Sequence, residues 1–347
     1  MRIHQKMKIY QKSKKRILTG DRPTGPLHLG HYVGSLENRM KLQDKYECFF
    51  IIADYQVLTD HLDKTKEISK NIKEIMLDYL SVGLDPEKSI FFIQSKIPEL
   101  AELTMYFSML VTVSRLQRNP TIKEEFKSMG RGKKKMSYGF LGYPISQAAD
   151  ILAFRAELVP IGEDQLPHLE QTREIARVFN RRFKKVFPTP EPLLGRFPRL
   201  PGIDGQKMSK SRNNAIYLKD TPEIVARKVM QAYTDPTRIH ATDPGHIEGN
   251  VVFAYLEAFC PDKEEFEDLK DKYRKGKIGD VQVKKRLIEI LNDFLKPIRE
   301  KRKEFESKPK LIREILLSGI EVARKEAKET LKLVREAMHL DYKDLLD

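Results

Sequence analysis

The chain has 347 residues, enough for one large α/β domain and a smaller second one. Hydrophobic residues make up 40%, sufficient for a core, and no apolar run approaches the roughly 20 residues of a membrane span. Lys and Arg number 64 against 50 Asp and Glu, and the resulting +14 fits either a polyanionic partner or a charge-rich, thermally adapted surface.

Residues 1–16 are a basic extension without the apolar segment of a secretory signal. Residues 17–20 predict a short strand closed by a Gly/Pro turn, and 32–42 a helix. The continuous apolar run 48–53 suits a strand buried on both faces. Over 64–82, Ile68, Ile72, Ile75, Met76 and Tyr79 recur with a helical period, until Gly83-Leu84-Asp85-Pro86 stops the helix. A strand at 89–94 and a helix at 100–116 follow. Between 120 and 138 the pattern breaks, and the basic, glycine-bearing stretch 127–136 reads as a mobile surface loop. Pro144 opens a helix that runs to Phe154. Next come a strand at 158–161, a helix at 163–180 and a proline-rich irregular stretch at 188–205.

From Thr221-Pro222-Glu223 onward the texture is helical, with candidates at 247–259, 263–273, 281–303, 309–317 and 320–338. Strand–helix alternation implies parallel strands. The expected fold is a Rossmann-like, doubly wound parallel sheet in residues 17–217, followed by an all-helical domain in residues 218–347. Cys48 and Cys260 make neither a disulfide framework nor a cysteine-rich metal cage, which fits a reducing cytosol.

Two segments carry chemistry. The first runs from Gly20 through Asp21-Arg22-Pro23-Thr24-Gly25-Pro26-Leu27-His28-Leu29-Gly30-His31, between a strand and a helix. Backbone N–H groups at a helix start are available to an anion. Gly30 lets a flat base approach the backbone, and His28 and His31, three apart, project from one helix face. The second is Lys207-Met208-Ser209-Lys210-Ser211, whose two ammonium groups can neutralise the charge developing on a leaving pyrophosphate. Each alone could be an ordinary surface turn; together they read as two halves of one ATP site.

The pair resembles the HIGH and KMSKS signatures of class I aminoacyl-tRNA synthetases, with Leu29 in place of Ile in the first and no departure in the second. Pro160-Ile161-Gly162-Glu163-Asp164-Gln165 resembles the P-x-G-E-D-Q segment of tryptophanyl-tRNA synthetases. The same residues would also suit a plain capped helix start. Tyr143-Pro144-Ile145-Ser146-Gln147-Ala148-Ala149-Asp150 resembles the amino-acid pocket helix of that family. Gln147 departs from the methionine that many bacterial tryptophan enzymes carry there.

The resemblance implies a tryptophan–tRNA ligase that forms an adenylate from L-tryptophan and Mg-ATP and transfers the acyl group to tRNA(Trp). It implies ATP contacts from Arg22, Pro23, Thr24, Gly30, His31, Gly162, Glu163, Asp164, Lys207, Met208, Ser209, Lys210 and Ser211. His28, His31, Lys207 and Lys210 would act on the phosphates. Tyr143, Gln147 and Asp150 would read the indole, with Asp150 accepting its N–H. It further implies a homodimer, a cytoplasmic location and anticodon contacts from the helical domain, whose Lys284, Lys285, Arg286 and 299–303 suit phosphates. Some relatives hold a cysteine-bound iron–sulfur cluster; with Cys260 alone in the helical region, none is expected, nor any other bound metal. The rival from the same fold is a tyrosine–tRNA ligase, against which Leu18 stands where such enzymes place a tyrosine. A rival from another class is a non-catalytic RNA-binding relative.

Overall fold

Aromatic and β-branched residues dominate the short apolar runs, and these are strands. The computed structural model describes residues 14–128, 136–194, 200–208, 212–238, 240, 242–342 and 345. In it β1 (Arg16–Asp21), β2 (Glu47–Ile52), β3 (Ser89–Ile93), β4 (Leu158–Ile161) and β5 (Glu191–Leu194) lie parallel in the order β3-β2-β1-β4-β5. The register sets Leu18 against Phe49 and Phe50 against Phe91. The chain moves outward from β1 to β3, then returns across β1 to build β4 and β5, so the sheet is doubly wound.

Both faces are covered. On one, Phe50 and Ile52 pack with Leu36, Ile75 and Tyr79; on the other, Phe49 and Ile51 pack with Leu103, Ala149 and Leu152. That is why β2 reads as an unbroken apolar run rather than an alternating one. The first face is built by α1 (Leu29–His31), a π-helical turn, α2 (Glu37–Leu42) and α4 (Thr65–Val82), while the short α3 (Asp54–Val57) follows β2 and reaches Gln94 through the Tyr55 N–H. The second is built by α5 (Glu99–Ser108), α6 (Val113–Gln117), α7 (Pro120–Ser128), α8 (Tyr138–Ala153) and α9 (Leu166–Arg182).

The rest of the chain is α10 (Pro222–Met230), α11 (Val251–Phe259), α12 (Lys263–Arg274), α13 (Asp280–Glu306) and α14 (Pro309–Ala337). Val225, Leu256, Leu287 and Leu291 join the core layer of α4, with α13 packed along α4. Ala323, Ala327 and Leu331 of α14 enter the opposite layer.

Several elements differ from the sequence-based expectation. The helix expected over 100–116 is two helices, α5 and α6, interrupted where Thr112 caps α6 by accepting from the Arg115 N–H at 3.2 Å. The first part of the expected break at 120–138 is the helix α7. Most of the expected mobile loop, 129–135, lies outside the described residues. Helix α8 begins at Tyr138 with Pro144 inside it, because Ser137 caps it by accepting the Phe140 N–H at 3.1 Å. Gly139 and Gly142 weaken the helical signal of that first turn.

Residues 191–194, expected to be irregular, form β5; Pro192 is tolerated there because, among the described residues, β5 is an edge strand paired with β4. The two helices expected at 309–317 and 320–338 are one. At Gly319 the helix presses on β3 so closely that an added Cβ would lie 1.9 Å from the Phe91 carbonyl oxygen. The glycine permits a crossing and does not mark a break.

Candidate active site

The winding direction reverses between β1 and β4, and in open α/β sheets such a switch opens a crevice at the strand carboxyl ends. The Gly20–His31 segment leaves β1 there, and Gly162-Glu163-Asp164-Gln165 leaves β4. Thr19 Oγ1 donates to the Pro160 carbonyl at 3.0 Å across the two strands.

Asp21 ends β1 and accepts from Arg39 Nη1 and Tyr79 Oη, both at 2.7 Å. Burial would raise its pKa, but the charges of Arg39 and His31 and the hydrogen bonds from Tyr79 and Arg39 together outweigh that and hold the carboxyl at about 2. This buried ion pair anchors the start of the loop. Arg22 pairs with Asp60, Thr24 N–H turns back to the Arg22 carbonyl at 2.8 Å, and Pro23 is buried. His28 precedes α1, its N–H donates to His31 Nδ1 at 3.2 Å, and the two rings stand 3.8 Å apart.

The second segment is brought to the first by a short antiparallel ladder. Leu29 N–H donates to Ile216 O at 2.9 Å, Leu218 N–H donates to Leu27 O at 3.0 Å, and His28 sits opposite Tyr217. Asn214 Nδ2 donates to Lys207 O at 3.2 Å and to Asp204 Oδ1 at 2.8 Å, so the turn that carries Lys207 is tied to the ladder strand. An added Cβ on Gly30 would meet Met208 Sδ at 3.0 Å. His28, Gly30, His31 and Met208 are thus neighbours, and Lys207 is exposed beside them. Ser209, Lys210 and Ser211 lie outside the described residues.

Gly162 caps a 3-10 turn, closed by Gln165 N–H to Gly162 O at 3.0 Å, with the Glu163 and Asp164 side chains exposed. Gln165 Oε1 accepts from Gln147 Nε2 at 3.5 Å, which links this turn to α8.

Along α8, Tyr143 and Asp150 are buried. Tyr143 Oη donates to Glu125 Oε2 at 2.8 Å and lies 2.8 Å from His168 Nε2, while Asn119 Nδ2 is 3.3 Å from His168 Nδ1. Burial lowers the His168 pKa to about 4, so the ring is neutral. With Nε2 carrying the proton, His168 donates to Tyr143 and Nδ1 accepts from Asn119. Burial raises Glu125, and its bond to Tyr143 with the charges of Arg22 and Lys207 opposes the rise.

Asp150 faces two carboxamides. Gln94 Nε2 donates to Oδ1 at 2.9 Å and to Oδ2 at 2.7 Å, and the side chain of Gln56 bonds to it as well. Burial pushes its pKa up to about 8, with the two glutamines pulling the other way. Gln94 itself is fixed by the Tyr55 N–H, which donates to its Oε1 at 3.0 Å. Sequence reasoning missed Gln94, Glu125 and Asn119, which sit on other elements with no motif around them.

A family model described as tRNA synthetases class I (W and Y) matches residues 10–296. The chain belongs to that family. Among curated proteins, the synthetase is 53% identical over 336 residues to the tryptophan–tRNA ligase of Clostridium longisporum, covering 95% of this chain and 98% of that one. Among solved structures, it matches tryptophanyl-tRNA synthetase from Campylobacter jejuni complexed with ADP and tryptophan. That match has a TM-score of 0.81 and 33% identity over 94% of this chain and all (100%) of the other. Tyrosyl-tRNA synthetase from Archaeoglobus fulgidus, at 24% identity and a TM-score of 0.66, shares the fold.

Proposed function

We propose that this synthetase is a tryptophan–tRNA ligase. The observation that carries the reading is identity of 53% to a curated tryptophan–tRNA ligase across nearly the full length of both chains. The site chemistry agrees. The tryptophan carboxylate attacks the α-phosphate of ATP in line, pyrophosphate leaves, and the 3′-terminal hydroxyl of tRNA(Trp) then takes the acyl group. The substrates bring the reacting groups, so the protein contributes positioning and charge rather than a nucleophile.

In this reading Arg22, Pro23, Thr24, Gly30 and His31 hold ATP from one side and Gly162, Glu163 and Asp164 lie along its ribose. His28 joins His31 at the phosphates, over which the Lys207–Ser211 segment closes, with Lys207 and Lys210 on the leaving pyrophosphate. Mg²⁺ enters with ATP as part of the substrate. Asp150 accepts the indole N–H, with Tyr143 and Gln147 beside it. A buried carboxyl group already bonded to Gln94 and Gln56 favours a side chain that brings a further donor over one that brings none. The helical part after residue 217 is assigned to tRNA, and the enzyme works as a cytoplasmic homodimer.

The test is ATP–pyrophosphate exchange with each amino acid in turn. Stimulation by L-tryptophan alone is expected, whereas stimulation by L-tyrosine alone would overturn the reading. The chain contains 0 tryptophan residues, so ligand fluorescence reports binding directly. Sedimentation of the free enzyme tests the dimer.

A further inference from the structure

Leu27 immediately precedes His28, and its N–H donates to Asp78 Oδ2 at 2.7 Å. Asp78 lies on α4 with none of its surface exposed, 0%. Its other oxygen, Oδ1, pairs with Arg302 Nη1. Arg302 lies on α13, in the C-terminal helical part, and is only 4% exposed. Its Nη2 donates to Glu74 Oε2 at 2.7 Å and its Nε to Glu306 Oε1 at 3.0 Å. The same Glu74 oxygen accepts from Lys219 Nζ at 2.9 Å.

Lys219 follows Leu218, whose N–H bonds to Leu27 O. One buried guanidinium therefore reaches both strands of the ladder that brings the two ATP segments together. It reaches the first through Asp78 and the Leu27 N–H, and the second through Glu74 and Lys219.

A carboxylate this deep is tolerated only with its charge balanced and its lone pairs occupied. Without Arg302, Asp78 must take up a proton or draw in water, and either change disturbs its bond to the Leu27 N–H. Glu74 would keep Lys219 but lose the link across to α13. The ladder would still form, without its fixed seat on α4.

We infer that Arg302 is a positioning residue for ATP, holding His28–His31 and Lys207–Met208 in register from the helical part of the chain. The inference rests on assigning those segments to ATP. It does not depend on which amino acid is activated.

The experiment measures ATP and L-tryptophan affinities separately by calorimetry on the full-length enzyme, alongside thermal midpoints. Arg302→Met is expected to weaken ATP about tenfold, and Glu74→Gln about threefold, with tryptophan affinity unchanged within about twofold. Arg302→Lys should recover part of the loss. Arg335→Met, which breaks the pair with Glu102 between α14 and α5, is the control expected to leave both affinities alone.

ATP affinity unchanged in the Arg302 and Glu74 variants would overturn the inference. So would equal weakening of ATP and tryptophan, which would mark a general loss of structure. If Arg302→Met does not fold, Glu74→Gln decides, since Glu74 is partly exposed and its replacement leaves the Asp78–Arg302 pair intact. Failure of the tryptophan–tRNA ligase reading shows elsewhere, as wild-type enzyme without tryptophan-dependent exchange, while the ATP titrations still report on Arg302.

Discussion

An added Cβ at Gly20 would sit 1.8 Å from the carbonyl oxygen of Ile51, inside the β1–β2 pairing. Backbone cannot yield there, so Gly20→Ala is expected to cost about 3 kcal/mol, read as a lower urea midpoint. Gly30 differs. The nearest atoms to an added Cβ are side-chain atoms of His28 and Met208, each at 3.0 Å, which can shift. Gly30→Ala should leave stability nearly unchanged and, on the proposed assignment of these segments to ATP, raise the KM for ATP about tenfold, because the added Cβ presses on His28 and Met208. Equal loss of stability at both positions would contradict this distinction.

Asp150 makes a pH prediction with a definite sign. Burial raises its folded-state pKa to about 8, above the unfolded value. Its contribution to stability is therefore full at acid pH and is lost as pH rises towards 8. In Asp150→Asn that dependence vanishes. The difference in unfolding free energy between variant and wild type should shift in the variant's favour by about 1.4 kcal/mol per pH unit from pH 5 to 8. Denaturant titrations across that range check it, and a flat difference would show Asp150 already ionised at pH 5.

At the scale of elements, α14 and the π-helical turn give opposite outcomes for the same substitution. Glycine-to-alanine gains about 1 kcal/mol of helix propensity where space allows. Nothing lies within 4 Å of a Cβ at Gly34, so Gly34→Ala should stabilise. At Gly319 the Cβ would be 1.9 Å from Phe91 O, and lifting α14 off the β3 edge outweighs the propensity gain. Gly319→Ala is expected to lose about 2 kcal/mol net, measured as the thermal midpoint against Gly34→Ala. A rise in both midpoints would mean that α14 seats loosely on the sheet.

Across the whole molecule, an excess of +14 distinguishes the two half-reactions. Adenylate formation uses small ligands in a defined pocket and should respond weakly to salt. Affinity for tRNA should fall linearly in log–log form, by about 0.7 to 0.9 per phosphate neutralised. Filter binding and pyrophosphate exchange over one salt series separate the two. Equal salt dependence would return the extra charge to general surface solvation.

Much of this enzyme is written locally. Residues 28–31 and 207–211 are contiguous strings whose chemistry is visible without a fold, and the apolar run through Phe49 and Phe50 announces a strand covered on both sides. Thr221 and Pro222 declare a helix start that the structure keeps, with Thr221 accepting the Ile224 N–H. Other features depend on where the chain travels. Gly319 looks like a break until Phe91 is found beneath it. Gln94 is an ordinary polar residue until the sheet places it on Asp150, and Arg302 is one of many helix cations until α13 lays it against Asp78. Motifs and periodicity are properties of neighbouring residues, so the sequence by itself determined the family chemistry and the strand–helix alternation. A buried polar partner needs only one atom at one distance and leaves no period behind, so only the tertiary structure decided how Asp78 and Arg302 seat the pairing of Leu27 and Leu29 with Leu218 and Ile216 on α4.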